Sequence, residues 1–185
     1  MPDKRNVSIS FTVNGEQFDD LTVSARQHLG DLLRSQGFTG THIGCEQGAC
    51  GACTIEMDGK AVRSCLILSS QINGSVIKTV EGLDDTLMKK VKEIFLKHNA
   101  LQCGFCSSGM LITTKEILNK KKKLNREQIR TEISGNYCRC TGYQSIVDAI
   151  EEAIKITRNR KGPVLIHAKV PLLNHHTSGV RMEWY

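Results

Sequence analysis

Alternation opens the chain. Val7, Ile9, Phe11 and Val13 are separated by Ser8, Ser10 and Thr12, the period-two pattern of a strand with one face on a core. Asn14-Gly15 supplies the two positive-φ residues of a tight hairpin turn, and Phe18 to Val23 reads as the returning strand. Ser24, with Gln27 three residues on, predicts a capped helix start. Leu29, Leu32 and Leu33 give that helix one apolar face, and Gly37 ends it. A loop rich in Gly and Cys runs from Thr39 to Cys53. Asp58-Gly59 then centres a second hairpin over Thr54 to Cys65, and Ser75 to Val80 predicts a further strand. Two hairpins clasping one helix make a small α+β unit of β-grasp type.

Past Gly82 the period changes to that of helices. Leu87, Val91, Ile94 and Phe95 share one face of a helix that Asp84 or Asp85 caps. A second helix is expected from about Ser107 to Lys121. A third follows Asn125, with Gln128 at the capping-box position. Ile146, Ala149, Ile150, Ala153 and Ile154 mark a fourth, stopped by Gly162-Pro163. Four amphipathic helices of this size predict a small bundle. The expected organisation is a first domain over residues 1–82, a helical domain over 83–161 and a C-terminal tail over 162–185.

Composition narrows the class without identifying the chemistry. With 39% hydrophobic and 24% charged residues in 185, a folded core is expected and disorder is not. No apolar run approaches the ~20 residues of a membrane span, and the N-terminus leads straight into alternating residues instead of a secretory signal. The formal charge is +6, yet the basic residues cluster only at Lys120 to Lys123 and Arg158 to Lys161. Both runs fall where helices should end and suit the negative end of the dipole, so nucleic-acid binding is not expected. Eight cysteines in a chain without a secretory signal point to thiol chemistry in a reducing, cytoplasmic compartment.

Those eight divide into four and four. Cys45, Cys50, Cys53 and Cys65 have the C-x4-C-x2-C…C spacing of plant-type [2Fe–2S] ferredoxins. Three ligands from one loop require sharp turns and close backbone approach to sulfur. Gly44, Gly48 and Gly51 allow both and leave N–H groups free to point at sulfur. Zinc more naturally takes paired C-x2-C knuckles. The second quartet, Cys103, Cys106, Cys138 and Cys140, is ambiguous by spacing: an iron–sulfur cluster or Zn²⁺ would each fit. A disulfide across Cys138 and Cys140 would close an uncomfortably small ring.

Three motifs together settle the comparison: Gly44 through Cys53, Leu101 through Cys106, and Gly135 through Tyr143. In order and spacing they resemble the iron–sulfur subunit of the molybdenum hydroxylases, the family of xanthine dehydrogenase, aldehyde oxidoreductase and aerobic carbon monoxide dehydrogenase. The resemblance covers about residues 7 to 157. It implies an α+β chain: an N-terminal plant-type ferredoxin-like β-grasp domain, then an all-α four-helix-bundle domain, each with one [2Fe–2S] cluster. It further implies that the cluster on Cys103, Cys106, Cys138 and Cys140 lies beside the molybdopterin cofactor of a large subunit, with Gln102 facing the pterin. The cluster on Cys45, Cys50, Cys53 and Cys65 would pass electrons to FAD in a medium subunit, in what is commonly a dimer of heterotrimers. The family commonly has Thr-Pro where this chain has Ser107-Ser108, a change that removes a helix-initiating Pro but leaves a good cap.

Nothing in the chain reads as a nucleotide-binding loop, a nucleophile or an acid–base pair. His28 on the first helix and His98 near a helix end read as ordinary boundary residues, and His175-His176 as polar tail. The expected role is therefore a wire with no catalytic residue of its own. The alternative is a free-standing two-cluster ferredoxin; a metal-based sensor lacks any DNA-binding element. The tail over 162–185 is rich in apolar and aromatic residues and holds Trp184, which suits a partner-subunit contact.

Overall fold

The computed structural model describes residues 5–120 and 122–159. The tail over 162–185, with the helix stop at Gly162-Pro163 and His175-His176, lies outside the described residues.

The first half is a mixed five-stranded sheet. Strands β1 (Asn6–Val13) and β2 (Glu16–Ser24) form the first hairpin, β3 (Thr54–Met57) and β4 (Lys60–Arg63) the second, and β5 (Val76–Lys78) lies between them, in the order β2-β1-β5-β3-β4. β5 runs parallel to β1 and antiparallel to β3. Both hairpin turns take the positive φ their sequences call for, at Asn14, Gly15, Asp58 and Gly59. Ile9, Phe11 and Val13 are buried against Leu29, Leu32 and Leu33 of helix α1 (Leu29–Ser35), while Val7 of the same alternating set is exposed. A strong hairpin turn fixes register but not how far along the strand the core extends.

Ser24 does not cap α1. It pairs with Asn6 at the end of β2, so its backbone belongs to the sheet ladder, and α1 begins five residues later with extended His28 at the cap position. His28 therefore precedes the helix, where it bridges Leu68.

The second half is helical: α2 (Thr86–Lys97), α3 (Ser107–Asn119), α4 (Arg126–Glu132) and α5 (Gln144–Asn159). Asp85 caps α2 by accepting from Met88 N–H at 2.9 Å, and Asn125 and Gln128 form the expected capping box on α4. The amphipathic stripe of α5 is buried throughout, from Ile146 to Ile154. It packs with α2, α3 and α4 around one apolar core that runs from Leu83 to Ile154 and is separate from the sheet core ending at Ile77. No helix among the described residues is long and apolar enough to cross a membrane.

The two serines after Cys106 do not cap α3, contrary to the sequence expectation. Cys106 occupies the cap position in an αR conformation with no side-chain capping bond. Ser107 Oγ is buried without a hydrogen-bond partner. Ser108 Oγ instead reaches across to Ala52 O at 3.5 Å, in the first cysteine loop. Tertiary packing takes the hydroxyl that the local sequence assigns to the helix end.

Candidate metal centres

The loop between α1 and β3 curls around its own sulfur atoms. Gly48 and Gly51 adopt φ of +80° and +74°, and Glu46 joins them at +55°, so successive N–H groups turn inward. Cys50 N–H donates to Cys45 Sγ at 3.3 Å. Hydrogen bonds from the Cys50 and Gln47 backbone, with Ala49 adding, hold the Cys45 thiol down to about 6. Gly44 contributes by size, since a Cβ there would stand 3.1 Å from Cys50 Sγ. Cys53 ends the loop, and Cys65 arrives from a short 3₁₀ turn, Ser64–Leu66, just past β4. Both are buried, and their thiols hydrogen-bond each other. Burial, reinforced by Cys53, pushes Cys65 up to about 11, with the Gly48 backbone N–H pulling the other way.

The second quartet gathers at the mouth of the helical half. Cys103 and Cys106 flank the turn into α3, and Cys138 and Cys140 sit in the loop between α4 and α5. The pairs are crossed: Cys140 Sγ lies 3.4 Å from Cys103 Sγ, and Cys106 hydrogen-bonds Cys138. Burial, then the neighbouring Cys138 thiol, pushes Cys106 up to about 12. Burial also acts to raise Cys138, but hydrogen bonds from the Thr141 side chain and backbone, the Cys140 backbone and Cys106 outweigh it and bring the thiol down. Burial and Cys103 raise Cys140. Among the described residues, no three Cys, His, Asp or Glu side chains converge on a single ion.

Exposure is uneven around this quartet. Cys106 and Cys138 are buried, whereas Cys103 is exposed, together with Gln102 beside it. Phe105 and Tyr137 are likewise exposed apolar residues. Leu66, at 61% exposure, is the corresponding apolar residue next to Cys65. It packs on Gly48, where a Cβ would come within 2.5 Å of its side chain.

A polar seam that spacing along the chain does not announce joins the two loops. His42 Nδ1 donates to Phe105 O at 2.8 Å, and its ring stacks on Phe105 at 4.8 Å. Arg63 Nη2 donates to Gly135 O at 2.7 Å while its other amino group holds Thr54 Oγ1. Lys115 on α3 pairs with Glu56 on β3 at 2.6 Å. Tyr137 N–H donates to Cys50 O at 2.8 Å. His28 and His98 take no part; His98 caps the end of α2 and binds Glu152 at 2.6 Å.

Comparison with known proteins agrees with this geometry. Residues 11–89 match a family model described as a 2Fe-2S iron-sulfur cluster binding domain, and residues 79–151 one described as a [2Fe-2S] binding domain. The chain is 47% identical over 157 residues to the nicotine 6-hydroxylase small subunit of Paenarthrobacter nicotinovorans, a match spanning 84% of this chain and 94% of that one. It is 39% identical to the xanthine dehydrogenase iron-sulfur-binding subunit of Escherichia coli O157:H7, over 84% of this chain and 99% of that one. Among solved structures, a chain of quinoline 2-oxidoreductase from Pseudomonas putida 86 superposes with a TM-score of 0.77 at 45% identity, covering 84% and 98% of the two chains.

Proposed function

Because the chain belongs to the iron–sulfur subunits of the molybdenum hydroxylases, we propose that each cysteine quartet holds one [2Fe–2S] cluster and that the chain relays single electrons. They would run from a molybdopterin centre in a large subunit, past Gln102, to FAD in a medium subunit, within a cytoplasmic dimer of heterotrimers. In this reading residues 1–82 are the ferredoxin-like domain and 83–161 a four-helix cluster domain.

The observation that carries the reading is the pairing of the thiols. Two thiolates on one tetrahedral metal with bonds of about 2.3 Å stand about 3.8 Å apart, close to the 3.4 Å between Cys103 and Cys140. Mononuclear zinc requires four donors around one point, whereas a dinuclear cluster takes two thiolates on each iron. Cys45 with Cys50, Cys53 with Cys65, Cys103 with Cys140 and Cys106 with Cys138 are the pairs at hand. Cys65 and Cys106, pushed up in their buried places, need a cationic metal to be held as thiolates.

When bound, the clusters supply one-electron redox chemistry. The chain's own residues supply the rest. Backbone N–H groups of Gln47, Gly48, Ala49 and Cys50 aim at sulfur and favour its negative charge. A continuous connection links the ligand sets: from Cys50 Sγ along its backbone to its carbonyl, across the hydrogen bond from Tyr137 N–H, and on to Cys138 Sγ. Exposed Cys103, with Gln102 beside it, belongs to the second ligand set, and exposed Leu66 adjoins Cys65 of the first.

Metal and sulfide analysis with EPR of the reduced protein tests the reading. The expected result is about four iron and about four acid-labile sulfide per chain, with two distinguishable signals. Stoichiometric zinc with about two irons would overturn the assignment of the second quartet.

A further inference from the structure

A fully buried polar side chain, that of Asn136, crosses the seam between the two loops. Asn136 is 2% exposed. Its Nδ2 donates to Gly51 O at 3.2 Å, and its Oδ1 accepts from Thr113 Oγ1 at 3.0 Å. One residue on, Tyr137 N–H donates to Cys50 O. Two successive residues of the loop after α4 thus grip two successive carbonyls of the first cysteine loop, and a slip of one residue would break both bonds.

The approach is close enough to make that grip specific. A Cβ on Gly51 would come within 2.3 Å of Gly135 O, and one on Gly109 of α3 within 2.1 Å of Gly51 O. Gly51 O is satisfied locally without Asn136, by Thr54 N–H at 3.2 Å and Thr54 Oγ1 at 2.5 Å. The bond from the Asn136 amide is therefore not needed to avoid a buried unpaired acceptor. What it adds is registry. Gly51 O can only accept and so sets which way the amide faces, and Thr113, itself buried on α3, donates to the Oδ1 on the other side and anchors it there.

We propose that Asn136 is a positioning residue for electron transfer between the two cluster sites, its carboxamide, anchored by Thr113, holding Tyr137 N–H on the Cys50 carbonyl. The inference rests on the reading that both quartets carry clusters. Electron transfer falls off steeply across gaps and is favoured along bonded connections, so loss of registry at this single hydrogen bond would act on transfer between the sites and not on either site alone.

The test uses the assembled holoprotein and the variants Asn136→Ala, Thr113→Val and Thr113→Ser. Iron content, the two separate EPR signals, the magnetic splitting between the reduced clusters and the rate of internal transfer after rapid one-electron reduction are measured together. Asn136→Ala and Thr113→Val are expected to keep the iron and both signals but to shift the splitting and lose the fast internal phase. Thr113→Ser, which retains the hydroxyl, should restore both. Unchanged splitting and unchanged transfer in fully loaded Asn136→Ala would overturn the inference alone. If that variant does not load, the Thr113 pair decides, with Thr113→Val matching wild type as the overturning result. A single EPR signal in the wild type would sink the cluster assignment itself, and the inference with it.

Discussion

If each quartet holds a cluster as proposed, a ligand and its neighbour respond differently to substitution. Cys140 lies against Cys103 in the second quartet, and its loop meets the first cysteine loop through Tyr137 N–H and the Asn136 side chain. Cys140→Ser is therefore expected to lower iron from about four to about two per chain, with the EPR signal of the first quartet retained. Loss of both signals would show that the sites assemble as one. Gln102 is exposed and, in the proposed reading, lies outside the ligand set. Gln102→Ala should keep the full iron content while slowing electron flow from the partner centre or weakening pterin retention; an iron loss in that variant would place Gln102 in cluster assembly instead.

Among the elements, α2 and α5 are clasped at one point. Glu152 on α5 accepts from Lys97 at 2.7 Å and from His98 at 2.6 Å, at the C-terminal end of α2. Burial alone would raise its carboxyl, but Lys97 and His98 outweigh burial and hold it below the usual 4.5. A carboxyl with a depressed folded value stabilises the fold fully above its ordinary range and loses that contribution as pH falls through the folded value. Glu152→Gln should therefore lower stability at neutral pH by about 1 kcal/mol, since the carboxylate is still partly solvated. That corresponds to about 2–4 °C in Tm for a chain of this size. The gap between wild type and variant should close as pH drops below the ordinary carboxylate range. A gap independent of pH would assign the effect to packing.

For the whole molecule, two separate apolar cores are joined by a polar, glycine-lined seam, and apolar residues stay exposed beside each quartet: Leu66 on one side, Phe105 and Tyr137 on the other. In the proposed reading, these exposed aromatic and aliphatic side chains beside the quartets suit surfaces that partner chains cover. Tagged chain expressed beside its partner genes should be recovered with two larger polypeptides, and the isolated chain should carry both clusters yet turn over no substrate. A solitary monomer with full activity would favour a free-standing carrier.

The sequence alone determined what is local. Asn14-Gly15 and Asp58-Gly59 require positive φ wherever they sit, Asn125 and Gln128 cap a helix three residues apart, and C-x4-C-x2-C wraps a loop regardless of its surroundings. The family resemblance rested on the same short motifs. The tertiary structure decided everything that depends on which loop faces which. Ser24 was committed to the sheet ladder by Asn6, and Ser108 was drawn from its helix end to Ala52. Cys103 found Cys140 instead of Cys106, because the turn into α3 points its two thiols toward different residues of the later loop. His42 against Phe105, Arg63 against Gly135 and Asn136 against Gly51 lie 63, 72 and 85 residues apart. Such contacts arise only once sheet register and helix packing have set the two loops face to face, and no spacing in the chain encodes them.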